Sequence, residues 1–320
     1  MHVDLAADGG QSGLRMATVT STDAGPVLGA TVDVPGFAWT SGADPGAAQR
    51  EAVSRAWHAL GRPGPVRTLA CGLSGLNLTG PHVTPLLQGL AEETGATRVV
   101  AAGDDVTTHA GALGGRPGVV LNAGTGVVCT SVDADGGLLR VDAWGYLLGD
   151  AGGGSWLGRE GLRAALAGLD GRHQATELTD RAVTECGELR AFVHRVLASP
   201  TMVSDIAAFA RQVVEAAESG DEVARGICER AVAELAATVT ATVRRAHPAA
   251  AAATVPFTWT GSILTTTDTV RLPLLARLAT DCPALAVYQP AGGGLHGAAF
   301  LATTEGTPHH AGGRELRTPV

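Results

Sequence analysis

Cysteine is scarce in this 320-residue chain, and the five present, Cys71, Cys129, Cys186, Cys228 and Cys282, are scattered and form no C-x-x-C pair. That argues against a disulfide framework or a zinc site, and makes reduced cytoplasmic thiols the expectation. Positive charge is also short: 23 basic residues against 31 acidic ones leave a net charge of −8, and the only adjacent basic pair is Arg244 and Arg245. Nucleic acid and anionic membrane surfaces both reward basic patches, so neither is an expected partner. No apolar stretch of about eighteen residues runs free of polar breaks, and the chain opens on a strand pattern rather than a charged-then-apolar leader. A cytoplasmic protein without a membrane partner is the expectation. Two familiar nucleotide signatures are missing as well: there is no G-x-x-x-x-G-K-[ST], and no G-x-G-x-x-G between a strand and a helix with an acid about twenty residues on.

What the chain has in quantity is glycine and apolar residues: 44 Gly, and 45% hydrophobic residues against 17% charged ones. Such a chain buries a sizeable core, and its length suits two domains. The most informative stretch runs from Val119 to Gly158. The apolar run Val119, Val120, Leu121 leads into a turn at Gly124, Thr125 and Gly126, where backbone N–H groups can approach an anion closely because no Cβ intervenes. A similar element opens the chain. Residues 3 to 20 read as strand, glycine turn and strand, with Asp8 at the mouth of the turn, Gly9 and Gly10 within it, and the Ser12 hydroxyl beside them. A carboxylate there suits a Mg²⁺ carried on nucleotide phosphates, which takes only one or two protein carboxylates. Plain hairpins using Asp and Gly are the competing reading for either turn.

The expected strands lie near 2 to 7, 14 to 21, 27 to 33, 66 to 72, 98 to 102, 119 to 131, 138 to 142, 255 to 260 and 284 to 289. Helices are expected at 46 to 60, 82 to 94 and 105 to 113, and from Ser155 or Gly158 to about Leu166. Residues 174 to 247 read as helical throughout. In that stretch Met202 to Ala217 forms one helix, and Asp221 caps a long one through Arg245 on a stripe of Val223, Ile227, Ala231, Leu235 and Val239. A last helix is expected over Gly297 to Thr303. The polar tail from 305 to 320, with His309 and His310, reads as frayed.

Five motifs in order carry a resemblance: DGGQS at 8 to 12, GDDVTTHAG at 103 to 111, AGTG at 123 to 126, WGYLLGD at 144 to 150, and the pair TGSI at 260 to 263 with PAGGGLHGAAF at 290 to 300. From about residue 3 to about 302 the chain resembles the BadF/BadG/BcrA/BcrD ATPase family, within it the N-acetylglucosamine kinase branch. The resemblance implies an α/β fold of two RNase H-like, actin-like ATPase domains closing on ATP in a cleft, with a helical insertion in the second. The implied division is 1 to 110 joined by a C-terminal helix at 297 to 304, then 111 to 296, then the tail. It further implies transfer of the ATP γ-phosphate to the 6-hydroxyl of an amino sugar, N-acetylglucosamine or glucosamine.

Counting back from Ala110 and Gly111 in the family motif makes Asp104 the base, with Asp105 as helix N-cap. Asp8 would support Mg²⁺, and Gly9, Gly10, Ser12, Gly124, Thr125, Gly126 and Ser262 would contact ATP. Trp144, Gly145, Tyr146 and Asp150 would hold the sugar, a carboxylate being a natural acceptor for ring hydroxyls. A homodimer is compatible with the resemblance, and a small-molecule sugar is the expected partner. The chain departs from the pattern in places. Gly103 replaces an Asn, Ala151 a Glu, and Gln11 a glycine; no Lys follows Ser12. A sugar-contacting Asn is missing near Pro35 to Gly42, where Trp39 and Thr40 could substitute. Two other readings follow from the same family: an ATP-driven activator of a dehydratase or reductase, which would need iron–sulfur cysteine spacing absent here, and a sugar sensor without turnover.

Overall fold

The computed structural model describes residues 2–10, 13–37, 44–76, 79–248 and 254–318. The chain divides into two compact units. Unit 1 comprises Met1–Val120, Thr130–Leu139 and Val287–Val320; unit 2 comprises Leu121–Cys129 and Arg140–Ala286. Mixed α/β architecture with two sheets is the observed fold class.

Unit 1 is built on a six-stranded sheet. Its strands are β1 (Val3–Gly9), β2 (Leu14–Thr22), β3 (Gly25–Val34), β4 (Val66–Leu73), β5 (Arg98–Gly103) and β11 (Gly313–Arg317), in the order β11-β5-β4-β1-β2-β3. The β1, β2 and β3 strands form an antiparallel meander; β4 lies parallel to β1, and β5 parallel to β4. Side chains alternate between faces, as the period of two demands. Leu5, Ala7, Met16, Leu69 and Cys71 pack against Ala52, Val53, Ala56 and Trp57 of α1 (Pro45–Ala59) and Leu86 and Leu90 of α2 (Val83–Thr94). The opposite face presents small residues, Ala6, Ala17, Ala70 and Ala102. Over it lie α3 (Asp104–Ala112) and α12 (Gly294–Thr303). These two helices touch backbone to backbone: a Cβ on Gly297 would stand 1.7 Å from Thr107 O, and one on Gly111 2.0 Å from Gly293 O. The small-residue face and this glycine contact bring the end of β1 and the starts of α3 and α12 to one place.

The second sheet has five strands in the order β10-β9-β6-β7-β8. They are β6 (Gly118–Ala123), β7 (Val127–Val132), β8 (Leu138–Asp142), β9 (Val255–Thr260) and β10 (Leu285–Val287). Unit 2 carries α4 (Gly154–Leu169), α5 (Glu177–Cys186), α6 (Leu189–Ala198), α7 (Met202–Ala208), α8 (Ala210–Ser219), α9 (Glu222–Ala246), α10 (Ser262–Thr265) and α11 (Asp268–Asp281). Asp221 caps α9 as expected, accepting from Ala224 N–H at 2.8 Å, and its other oxygen takes the Glu177 N–H at 2.8 Å, so one carboxylate holds the starts of two helices. Ile227, Ala231, Leu235 and Val239 are buried along α9. No helix among the described residues is long and apolar enough to cross a membrane.

Four expectations are corrected. The single helix over 202 to 217 is two, breaking at Phe209. Helix α11 is passed over by the sequence reading; it carries Pro273 internally, a residue that usually marks a helix break. The last helix begins at Gly294, three residues early, because its glycines start the helix rather than precede it. The tail is not frayed: Pro308–Gly312 form a 3₁₀ turn, and β11 adds antiparallel to β5. Its anchors are a half-buried ion pair, Arg98 to Glu315 at 2.9 Å, and a buried contact, His309 to His109 at 2.9 Å, which a reading of local composition does not foresee.

Candidate active site

In unit 1, β1 and its parallel neighbour β4 end together. The Ser74 N–H donates to Gly9 O at 3.0 Å, and the Gly10 N–H donates to Gly13 O at 3.0 Å, closing the first glycine turn. Asp8 points to the α12 face, and its Oδ1 lies where a Cβ on Gly294 would come within 2.1 Å, so the carboxylate sits on the first residue of α12. The positive end of a helix favours an anion there. Arg15, directly opposite on β2, donates from Nη2 to Asp8 Oδ2 at 3.2 Å. Burial nevertheless outweighs the arginine, and with the charge of Asp104 added it pushes Asp8 up to about 6.

Asp104 is the first residue of α3, with Gly103 as N-cap. The Ser74 hydroxyl donates to Asp104 Oδ2. Gln49 Nε2, in turn, donates to the Ser74 carbonyl at 3.0 Å, fixing the residue that fixes the carboxylate. Burial raises the Asp104 carboxyl above its ordinary range; the Ser74 hydrogen bond opposes this and Asp105 adds to it. A carboxylate raised in this way is better matched to accepting a proton at neutral pH. Asp105 is not the N-cap: the helix starts one residue earlier because Gly103 ends β5 in extended conformation, and Asp105 accepts a hydrogen bond from Thr130 Oγ1 at 3.3 Å.

In unit 2 the Gly124 to Gly126 turn rests on the start of α4. Gly154 N–H donates to Gly124 O at 2.7 Å and Ser155 N–H to Thr125 O at 2.9 Å. Asp150 lies behind the turn, 9% exposed, with Oδ1 accepting from Val127 N–H at 2.9 Å and Oδ2 only 2.8 Å from where a Cβ on Gly126 would stand. Burial raises its carboxyl, the Val127 N–H opposes the shift, and Asp142 adds to it. Asp150 adopts a left-handed backbone, φ 57°, and its own N–H donates to Asp142 Oδ1 at 2.9 Å. Gly261 presses on the same turn: a Cβ there would stand 2.3 Å from the Ala123 carbonyl carbon. That contact delivers Ser262, the exposed first residue of α10, beside Gly124.

Asp8, Gly9, Gly10 and Asp104 therefore converge within unit 1, and Gly124, Thr125, Gly126, Asp150 and Ser262 within unit 2. Trp144, Gly145 and Tyr146 occupy the loop between Asp142 and Asp150. Trp144 is 76% exposed, while Arg159 Nη1 grips the Tyr146 carbonyl at 2.6 Å. Ser12, Trp39 and Thr40 lie outside the described residues. Sequence reasoning missed Ser74, Arg15, Gln49 and Asp142. Only Ser74 left a signal, a Ser-Gly step directly after a buried strand; the others depend on hairpin register, on a partner 25 residues away or on a left-handed Asp.

A sequence profile of the BadF/BadG/BcrA/BcrD ATPase family matches residues 15–275. Over 149 residues the chain is 28% identical to the N-acetylmuramic acid/N-acetylglucosamine kinase of Clostridium acetobutylicum, a match taking in 46% of this chain and 48% of that protein. The chain thus spans about half the length of that curated relative. Among solved structures, it is similar to a candidate N-acetylglucosamine kinase from Chromobacterium violaceum, with a TM-score of 0.72 and 24% identity over 95% of this chain and 99% of that one. It is also similar to a ROK family glucokinase from Streptomyces griseus in complex with glucose and AMPPNP, at a TM-score of 0.58 and 15% identity over 94% and 99% of the two chains. At these identities the structural likeness concerns the fold. The profile covers well over half of the sequence, and on that ground the chain belongs to the BadF/BadG/BcrA/BcrD ATPase family.

Proposed function

We propose that the protein is an ATP-dependent kinase that places the γ-phosphate on the 6-hydroxyl of an amino sugar, N-acetylglucosamine or glucosamine. The observation that carries this reading is the Asp104 carboxylate, held by Ser74 at the start of α3, raised by burial, and close enough to Asp8 to raise that carboxyl too. In the proposed step the sugar oxygen forms a bond to Pγ as the bond from Pγ to the bridging β,γ-oxygen breaks. The hydroxyl proton passes to Asp104, and ADP leaves with the bridging oxygen. Such a transfer is mainly positioning and charge stabilisation, so a base needs only to orient the hydroxyl and take its proton late.

The glycine turns at Gly9 and Gly10 and at Gly124, Thr125 and Gly126, with Ser262, offer backbone N–H groups and a hydroxyl for the phosphates and nucleoside. Trp144 supports the sugar assignment through its exposed ring, and Asp150 through an Oδ2 that the Val127 bond leaves uncommitted. The donor set fits Mg²⁺: Asp8 is a carboxylate beside a second one, a hard-oxygen pairing suited to a hard cation held mostly by phosphates. Asp8 would hold that ion, which when bound supplies charge neutralisation on the phosphates. The two relatives whose descriptions mention N-acetylglucosamine favour an amino sugar over glucose.

ADP release from Mg-ATP, measured with glucosamine, N-acetylglucosamine, N-acetylmannosamine, glucose and no sugar, tests the reading. Stimulation by one amino sugar is expected. Hydrolysis independent of sugar, or silence with all four, overturns it.

A further inference from the structure

Helices α4 and α9 pack on each other in unit 2 and leave a cleft along one side. On α4 the positions 160, 163, 164 and 167 share one face, and on α9 the positions 223, 226, 227 and 230 do, as the helical period requires. With the segment 172–174 these faces line a cleft of about 590 Å³, inside the range of about 300–1,000 Å³ usual for small-molecule sites. None of the residues assigned above to nucleotide or sugar lines it.

The cleft concentrates positive charge in a chain whose net charge is −8. Glu160 Oε1 accepts from Arg163 Nη1 at 3.2 Å and lies 4.0 Å from Arg159 Nε, while its Oε2 lies 3.7 Å from Arg230 Nη2, so one carboxylate answers three guanidiniums. Arg172, also in the lining, donates to Asp170 Oδ2 at 3.0 Å. The side chains of Arg163, Arg172 and Arg230 are 72%, 60% and 56% exposed, and ion pairs so exposed hold weakly. Each keeps open N–H donors on a rigid fork that matches phosphate oxygens in pairs. The rest of the lining is of another kind: Val223 and Ile227 supply apolar surface, and the exposed Glu222 and Gln174 supply acceptors for hydroxyls. Gly226 keeps the cleft open, since a Cβ there would meet nothing nearer than Arg230 Nη1 at 4.0 Å, although glycine inside a helix is unfavourable. A solvated helix face laced with ion pairs, the ordinary role for such charges, requires neither the concavity nor the glycine.

We propose that this cleft is a second ligand site, built for a sugar phosphate: Arg163, Arg172 and Arg230 take the phosphate, Glu222 and Gln174 the hydroxyls, and Val223 and Ile227 the C–H face of the ring. A phosphate dianion draws Arg163 and Arg230 away from Glu160, a weak partner that they share with Arg159. The site stands on the lining of the cleft alone; under the kinase reading its ligand is of the same class as the product.

N-acetylglucosamine 6-phosphate and inorganic phosphate are to be titrated by calorimetry into the full chain saturated with Mg²⁺ and the imido analogue of ATP, whose γ-phosphate fills the place a product phosphate would take in the candidate active site. One equivalent of the sugar phosphate is expected to bind, about tenfold or more tighter than inorganic phosphate, the ring and hydroxyl contacts making the difference. The double variant Arg163→Met/Arg230→Met, its melting temperature taken first, should weaken the sugar phosphate about 100-fold, because two charge-assisted contacts are lost. Glu222→Gln should weaken the sugar phosphate a few-fold and inorganic phosphate not at all. Gly226→Met fills the cleft at constant charge with a better helix former, so it should abolish binding of both without lowering the melting temperature.

Absence of sugar phosphate binding overturns the proposal, as does binding that survives the double variant or Gly226→Met. Equal affinity for inorganic phosphate also overturns it, leaving a bare anion site. Should the double variant not fold, Gly226→Met decides alone. If the unaltered protein does not bind the imido analogue, the kinase reading fails by itself. The same titrations without nucleotide still judge the cleft in that event.

Discussion

The carboxylate cluster of unit 1 and the glycine turn of unit 2 use opposite means. In unit 1 the proposed chemistry sits on side chains: Asp8 and Asp104 are carboxylates that burial drives toward neutrality, steadied by Arg15 and Ser74. In unit 2 the proposed phosphate contacts sit on the backbone of Gly124 to Gly126, and the buried carboxylate of Asp150 braces that backbone through Val127. A side-chain device is broken by changing its charge at constant shape. A backbone device is broken by changing shape at constant charge. The two regions should therefore fail differently under substitution.

The largest expected contrast is Asp104→Asn. The change keeps the shape and an acceptor for Ser74 but removes the proposed base, so kcat should fall about a thousandfold or more, while the dissociation constant for ATP stays within a few-fold, since a late proton transfer matters in the transition state. Parallel kinetics on Asp105→Asn sharpen the assignment. Damage concentrated at Asp105, which pairs with Thr130, would move the base by one residue.

Asp150→Ala is the matching test in unit 2. Alanine leaves the buried Val127 N–H without its acceptor, at a cost of about 1–3 kcal/mol, and must adopt φ 57°, which adds about 1 kcal/mol. Thermal melting should show the loss, and Asp150→Asn, which keeps a side-chain oxygen for Val127, should recover most of it. Equal destabilisation by both variants would mean that the charge of Asp150, rather than its hydrogen bond, supports the turn. Gly126→Ala comes next. Its Cβ would meet Asp150 Oδ2 at 2.8 Å and Oδ1 at 3.0 Å, forcing the brace aside. Nucleotide affinity measured by calorimetry should weaken about tenfold, the equivalent of about 1.4 kcal/mol, with kcat at saturation changing less. A large kcat loss at unchanged affinity would erase the contrast between the two regions.

The same contrast explains what could be seen in the sequence. Strands and helices with a clean period, such as β4 and α9, stand where their apolar spacing puts them, and both glycine turns are visible because glycine at a strand end is a local signal. The positions of Asp8 and Asp104 were legible because each is tied to an adjacent element, the end of a strand or the start of a helix. What was not legible depends on strand register, on distant partners or on an unusual backbone conformation. Arg15 matters through its cross-strand register with Asp8, Ser74 through a contact 30 residues away with Asp104, and Asp142 through a backbone conformation that Asp seldom adopts. The tail misled because its Gly, Pro and His content resembles a disordered end. Its order comes from pairs with Arg98 and with the buried His109, on elements some 200 residues earlier.

The smallest contrast lies within α3 itself, between the carboxylates at its start and His109 in its last turn. His109 Nε2 faces the Gly118 carbonyl at 2.9 Å and must carry a proton there; its Nδ1 then accepts from His309 Nε2 at 2.9 Å, which leaves both rings neutral. Burial holds His109 down at about 4 and His309 at about 3. In the unfolded chain both titrate near 6.5, so the stability they contribute is complete above that pH and is lost as pH falls from 6.5 toward 4. Each histidine accounts for about 1.4 kcal/mol per pH unit across that window. His309→Gln can keep a donor to His109 while removing one titrating ring, so its unfolding free energy should decline less steeply between pH 6.5 and 4. Turnover at pH 7.5 should be unchanged, because no proton is exchanged by the pair at that pH. Denaturant melts at several pH values measure the difference in slope directly. Parallel slopes for the two proteins would show that His309 is protonated or solvated in the folded state, and that α3 is not anchored from behind by a neutral pair.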